Sequence, residues 1–143
     1  MNEVDLKNYI QLKLQTLIPA SLATVVCDDF KTDFLSREVN AFPTAIITPA
    51  SVDSQATDSN DNVRTYIFDI LVVQKGENIQ SATDIETLRQ TIMDLFDKDL
   101  TFSGYATAGV APSSSKIGAF SHIDQSWVGF VLTLQPKALI PLS

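Results

Sequence analysis

The sequence predicts an α+β domain in which a mixed, mostly antiparallel sheet carries two helices on one face. Two segments place apolar residues at helical spacing, and several short segments are rich in β-branched residues. The first helix is followed by a run of strands with no second helix between them, which favours antiparallel pairing. The chain has 143 residues, an ordinary length for one domain. We therefore predict a single domain over residues 1–143.

The first helix is predicted over residues 5–18, because apolar side chains recur there every three or four positions. Pro19 ends this helix, since a proline disfavours helical geometry in the residue before it. Residues 22–27 (LATVVC) then form a short strand. Residues 28–40 are predicted to be a loop that packs its aromatic side chains inward.

The middle of the chain contains the strongest strand, residues 63–74, which is apolar on both faces as in a covered central strand. A shorter strand, residues 44–48, precedes it. Between them, residues 51–62 are the most polar stretch of the chain and predict a loop or the tip of a long hairpin. Asp69 interrupts the central strand and is expected to pair with Arg64 or Arg89, or to lie at a wet edge.

The second helix is predicted to begin at Ser81, where Ser81 and Asp84 resemble a capping box, and to end near Lys98. Residues 105–112 follow as a strand of small residues, and residues 113–125 as a turn-rich connection. Residues 127–134 form the last strong strand. An extension of it through residues 135–142 stays open, because two prolines there limit ladder pairing.

Composition excludes several classes of function. The formal charge of −7 comes with scattered lysines and arginines, which disfavours binding to duplex DNA. One cysteine (Cys27) and one histidine (His122) are too few for a zinc site of Cys and His ligands. The acidic N-terminus with no long apolar run predicts neither a signal peptide nor a transmembrane helix. We expect no membrane association and synthesis in the cytoplasm.

A search for catalytic or metal-binding sets finds weak candidates. His122 stands beside Ser121 and Asp124, but sequence neighbours rarely have the geometry of a catalytic triad. The acidic group Asp94, Asp97 and Asp99 is interpreted as a solvated helix face. The acidic residues Asp53, Asp58 and Asp61 resemble a calcium loop only loosely, since the final glutamate and the fixed glycine are missing. The sequence therefore predicts no catalytic residues, no metal and no cofactor.

Apolar residues in loop-like segments favour an assembly role instead, because exposed apolar side chains mark interfaces. These residues are Phe30, Phe34, Phe102, Tyr105, Ile117 and Phe120.

Several segments together resemble the tail terminator (tail-completion) proteins of long-tailed bacteriophages. Residues 42–47 (FPTAII) are similar to the family's strand entry after Phe-Pro, and residues 62–70 (NVRTYIFDI) to its central strand. An amphipathic helix containing residues 88–96 and a closing strand over residues 127–139 follow in the family's order. The resemblance extends over nearly the whole chain.

The resemblance implies a structural virion protein, first present in the host cytoplasm, that forms a homohexameric ring. Such a ring caps the tail tube, ends its polymerisation and joins the tail to the head connector or head-closure protein, while DNA passes through without specific binding. A closed ring needs two different patches on each subunit. We assign these to residues 51–62 and 116–122. The interface or lumen candidates are Asp53, Asp58, Asp61, Lys116, Ile117, Phe120 and His122.

Three alternatives stay open at this point. The first is a head-closure protein or another minor neck or tail protein of similar size. The second is a small enzyme that uses His122. The third is a monomeric ligand-binding domain.

Overall fold

The structure has two layers, a mixed sheet and two helices that pack on one face of it. The computed structural model describes residues 3–27, 41–48, 50–57, 60–76, 79–104, 106, 108–122 and 125–141, and these contain two helices and seven strands. In chain order the elements are α1 (Glu3–Gln15), β1 (Thr24–Cys27), β2 (Thr44–Ile47), β3 (Ser51–Ala56), β4 (Asp61–Lys75), α2 (Ile79–Asp97), β5 (Ala108–Ser114), β6 (Gly118–His122) and β7 (Gln125–Pro141). The predicted α+β class is confirmed.

Two long strands, β4 and β7, form the spine of the sheet and pair along nearly their whole lengths. The strand order is β1-β2-β4-β7-β5, with β3 also beside β4 and β6 also beside β7. The β1–β2 pair is parallel and the other pairs are antiparallel. The sheet is therefore mixed and mostly antiparallel, as predicted.

The main core lies between this sheet and both helices. Because side chains alternate across a strand, every second residue of β4 and β7 faces the helices, and Phe68 and Phe130 are fully buried there. From the helices, Ile10 of α1 and Ile92 of α2 enter the same cluster. This confirms that the two helices share one face of the sheet.

A smaller buried cluster lies on the opposite face and contains Ile46, Leu71, Val73 and Trp127. The ring of Phe42 meets Trp127 edge-on, with centroids 6.0 Å apart. The spacing of apolar residues in β4 therefore predicted burial on both faces correctly for its second half.

Asp69 is exposed on the face opposite the helices, and its Oδ1 accepts a hydrogen bond from the Thr133 hydroxyl at 2.8 Å. The predicted pairing with Arg64 is wrong, because residues five apart on one strand point to opposite faces. Arg89 donates instead to the carbonyl oxygen of Ser115. Asp69 is exposed to solvent, as the alternative of a wet edge predicted, but it does not lie at an edge, since Thr48 bonds to one side of its strand and β7 pairs with the other.

The first helix differs from its predicted bounds at both ends, and the second differs at its start, whereas its end at Asp97 agrees with the prediction. α1 ends at Gln15 rather than at residue 18, because the amides of Thr16, Leu17 and Ile18 bond to carbonyls three residues back and tighten the chain before Pro19. α2 begins at Ile79, two residues before the predicted cap at Ser81.

Two strands were not predicted as such. The predicted turn-rich connection over residues 113–125 contains β6, which forms a hairpin with β7. The polar stretch 51–62, predicted to be a loop or the tip of a long hairpin, does lie in a long hairpin, but residues 51–56 are its strand β3 and not its tip. The closing strand continues through Pro136 to Pro141, which settles the open question of its extension.

Candidate assembly surfaces

One end of the sheet forms a three-stranded arm, which we define as residues 51–56 of β3, 61–67 of β4 and 137–141 of β7. In this arm β3 pairs with one side of β4 and β7 pairs with the other. The long strand β4 therefore has two halves: residues 70–73 lie between β2 and β7 in the core, and residues 61–67 build the arm.

All six residues of β3 are exposed to solvent. Because neighbouring residues on a strand point to opposite faces, this pattern means that neither face of β3 is covered. Exposed apolar side chains occur in the arm and on β5, which pairs with β7 next to the arm. They are Val52, Val110 and Leu139, each 46–49% exposed.

The arm carries the acidic candidates predicted from the sequence. Asp53 is exposed on β3, and its Oδ2 accepts a hydrogen bond from the Gln55 side chain at 3.2 Å. Asp61 begins β4, and its carbonyl oxygen accepts hydrogen bonds from the amide and the hydroxyl of Thr57. By strand alternation the Asp53 and Asp61 side chains share the face opposite the helices. Asp58 lies outside the described residues.

The second predicted patch, residues 116–122, lies at the other edge of the sheet. Lys116 is exposed in the connection between β5 and β6, whereas Ile117 is half-buried and packs against the main core. Phe120 and His122 lie on β6, but their side chains are outside the described part of the structure. Patches 51–62 and 116–122 are thus on opposite edges of one sheet.

Two positively charged side chains, Arg89 and Lys116, lie at or beside this second patch. The Arg89 guanidinium of α2 donates to the carbonyl oxygen of Ser115 at 3.3 Å, next to the exposed Lys116. Ser115 is itself bound to β7, since its amide donates to the Val131 carbonyl and its hydroxyl accepts from the Val131 amide. The connection before β6 is therefore held in place, and no acidic residue occurs between positions 100 and 122 of the sequence.

A cluster of ionisable side chains joins α1 to the turn after α2. Lys13 Nζ lies 2.5 Å from Asp99 Oδ2, and the Tyr9 hydroxyl donates to the same oxygen. The Ser103 amide donates to Asp99 Oδ1 at 2.9 Å. The interpretation of Asp99 as part of a solvated acidic face is therefore wrong. No local pattern signals this cluster, because Tyr9 and Lys13 lie 90 and 86 residues earlier in the chain.

The same contacts shift the pKa of each member. Burial acts to raise the pKa of Asp99, but the hydrogen bonds from Lys13, Tyr9 and the Ser103 amide outweigh it and hold this pKa below its ordinary value. Burial and the hydrogen bond to Asp99 raise the pKa of Tyr9. Burial acts to lower the pKa of Lys13, but the bond to Asp99 and its charge raise it overall. The cluster is an ion pair with a neutral tyrosine at ordinary pH.

Next to this cluster, Phe102 is buried between the two helices. It was interpreted from the sequence as an exposed loop residue, but it is 3% exposed and packs against Tyr9 and Phe96. Phe102 and Ser103 both have φ near +50°, a conformation that side chains disfavour. Burial of the Phe102 ring and the Asp99–Ser103 hydrogen bond stabilise this turn.

A shallow cleft of about 290 Å³ lies between α2 and the start of β2. Its lining includes Pro43, Gln74 and Asp84, together with two threonines of α2. These threonines, Thr87 and Thr91, donate their hydroxyls to helix carbonyls four residues back. Their hydroxyl protons are therefore engaged within the helix.

Among the described residues, no group of three or more His, Cys, Asp or Glu side chains is placed to hold a metal ion. In that same part of the chain, neither helix has the length and apolar character required to cross a membrane.

Comparison with known proteins adds no family to this description. No protein-family model matches the chain, and no curated protein sequence matches it.

Proposed function

We propose that this chain is a structural protein of a phage tail, a terminator that assembles into a homohexameric ring on the tail tube. In this role the ring ends tube polymerisation and presents a surface to the head connector. The observation that carries the proposal is the arm, whose outer strand β3 is exposed at every residue although it belongs to the same sheet as the core. Such a strand is a template for contacts with other chains.

The order of segments along the chain supports the same proposal. The strand entry at Phe42-Pro43, the long central strand β4, the amphipathic helix α2 and the closing strand β7 follow one another as in the tail terminators that the sequence resembles. Two of these segments, β4 and β7, also pair with each other in the arm.

Charge is compatible with passage of DNA through the ring. Six copies of a chain of charge −7 carry about −42, which disfavours adhesion of the phosphate backbone. Asp53 and Asp61 share one face of the arm, so one orientation of that face toward the lumen would present both carboxylates to the DNA. We propose this orientation as part of the terminator function.

The test is electron microscopy of tail tubes polymerised from the tube protein of the same phage, with and without this chain. We expect shorter tubes, each carrying a ring of this protein at one end. Tubes that polymerise freely in its presence would contradict the proposal. Binding to the head connector without binding to tubes would instead favour a head-closure protein.

A further inference from the structure

We propose that the outer edge of β3 in one copy pairs with the outer edge of β6 in a second copy, so that the sheet continues from subunit to subunit. This inference names the interface of the ring and rests on the proposed function for the number of copies. Its basis is the hydrogen-bonding capacity and the charge of the two edges.

The outward groups of β3 follow from one hydrogen bond and the register. The Thr57 amide donates to the Asp61 carbonyl at 3.3 Å, so this opposed pair is of the hydrogen-bonded kind. In an antiparallel ladder such pairs alternate with pairs that do not bond to each other. By this register Val52, Ser54 and Ala56 belong to pairs that do not bond to each other. Their amides and carbonyls point away from β4.

The outward groups of β6 follow in the same way. The Gly76 amide donates to the Ser126 carbonyl at 2.8 Å, so Ser126 of β7 bonds toward β4. Its opposite neighbour on β6, Ser121, therefore does not bond to it. Ala119, two residues earlier on β6, likewise does not bond to its opposite neighbour Val128. The amides and carbonyls of Ala119 and Ser121 point away from β7.

The other described edges are protected in ways that β3 and β6 are not. β5 contains Pro112 and a break in register between Val110 and Ser113, and both features prevent pairing with another strand. The residues of β1 are buried or half-buried. β3 and β6 contain no proline and keep a regular register, over six and five residues.

Charge identifies the partner as a second copy joined head to tail. The arm edge carries Asp53, and residues 51–62 contain no lysine or arginine. The β6 edge has Lys116 and Arg89 beside it. Pairing β3 with β3 would place acidic edges against each other, whereas pairing β3 with β6 brings opposite charges together. The two edges lie on opposite sides of one sheet, so the contact is heterologous, the type that closes into rings.

Proline substitutions at outward positions test this interface in the full-length protein. Ser54→Pro and Ala119→Pro each remove one outward amide, a change that edge strands tolerate. Ser54→Ala and Ala119→Ser keep the amide and serve as matched controls. We expect light scattering to give oligomers larger than dimers for the wild type and both controls. Each proline variant should associate at least about tenfold more weakly. It should therefore be monomeric at concentrations where the wild type forms oligomers.

Mixing the two proline variants is the sharpest test. Ser54→Pro keeps its β6 edge and Ala119→Pro keeps its β3 edge, so the mixture should form a heterodimer with one copy of each. A mixture that stays monomeric would overturn the inference. So would an Ala119→Pro variant that still forms dimers, since these would pair β3 with β3, and so would a wild type that is monomeric at every soluble concentration.

Amide exchange of the wild type tests the same inference even if a proline variant fails to fold. On assembly we expect new protection at the amides of Val52, Ser54 and Ala56, while Asp53 and Gln55 are already protected in the monomer. Equal change at all five amides would overturn the proposed pairing. If this pattern appears but tail tubes are not capped, the interface stands and the terminator function fails.

Discussion

The Lys13 ammonium nitrogen lies 2.5 Å from Oδ2 of Asp99, and this ion pair fastens α1 to the turn that follows α2. The two side chains are 19% and 15% exposed, so solvent screens them only in part. Tyr9 and the Ser103 amide bond to the same carboxylate, which makes Asp99 the common acceptor of three donors.

Replacement of Asp99 should therefore lower stability. For Asp99→Asn we expect the free energy of unfolding at neutral pH to fall by about 1–2 kcal/mol, because hydrogen bonds to a charged acceptor are lost. Urea unfolding followed by Trp127 fluorescence measures this, since the chain's single tryptophan is fully buried. The control Asp97→Asn changes an exposed carboxylate nearby and should shift the value by less than about 0.5 kcal/mol. Equal effects of the two substitutions would rule out the assigned role of Asp99.

The same cluster predicts a dependence of stability on pH. The pKa of Asp99 is lowered by folding, so its contribution is complete above the unfolded value of about 3.9 and is lost as pH falls through the lower folded value. The pKa values of Tyr9 and Lys13 are raised, so their contributions are lost as pH rises through those raised values, above about pH 10.

Unfolding curves at a series of pH values check this dependence. The difference in free energy between wild type and Asp99→Asn should be constant near neutral pH and should shrink on acidification below about pH 4. A difference that grows with acid would show that the sign is wrong.

Gly129 of β7 should not tolerate a side chain. A Cβ at this position would lie 2.1 Å from the carbonyl oxygen of Val72 on β4, so the two spine strands would have to separate. We expect Gly129→Ala to lower the free energy of unfolding by about 3 kcal/mol. The matched control is its cross-strand partner Gly118, where a Cβ meets nothing within 4 Å. Gly118→Ala should change stability by less than about 0.5 kcal/mol, and a similar loss for both would contradict the close approach of β4 and β7.

The charge of the two sheet edges predicts that assembly weakens as salt concentration rises, because ions screen attraction between exposed charges. Lys116→Glu should weaken association at low salt by about tenfold, whereas Lys116→Arg should preserve it. Lys98→Glu makes the same change in net charge at an exposed position outside the patch and should have little effect. Light scattering across a salt series measures all four proteins, and an equal loss for Lys98→Glu would assign the effect to net charge alone.

Much of this fold was predictable because its signals are local. The central strand β4 and the helix α2 carry apolar residues at the spacing that their own geometry requires. The class of the domain and the shared face of the two helices followed from these periodicities. The positions of Lys116 and Asp53 at exposed sites also agree with the polar character of their segments.

Other features have no local signal. β3 reads SVDSQA, without alternating apolar residues, and is a strand because β4 supplies its hydrogen bonds. β6 lies in a segment that was predicted to be turn-rich, and it is a strand because β7 supplies its hydrogen bonds. Phe102 and Ile117 were interpreted as exposed, but Phe102 is buried against Tyr9 of α1 and Phe96 of α2, and Ile117 packs in part against the main core.

The sequence by itself determined the class of the fold, the two helices and the strands that enter the core, because burial of apolar side chains leaves a periodic pattern within each segment. Only the tertiary structure decided that Asp99 binds Lys13 and Tyr9, that Asp69 accepts a hydrogen bond from Thr133, and that β3 and β6 form opposite edges of one sheet. These relationships depend on register and on contacts between residues far apart in the chain. A local sequence pattern does not predict them, because it indicates whether a residue is buried or exposed and not which distant residue it contacts.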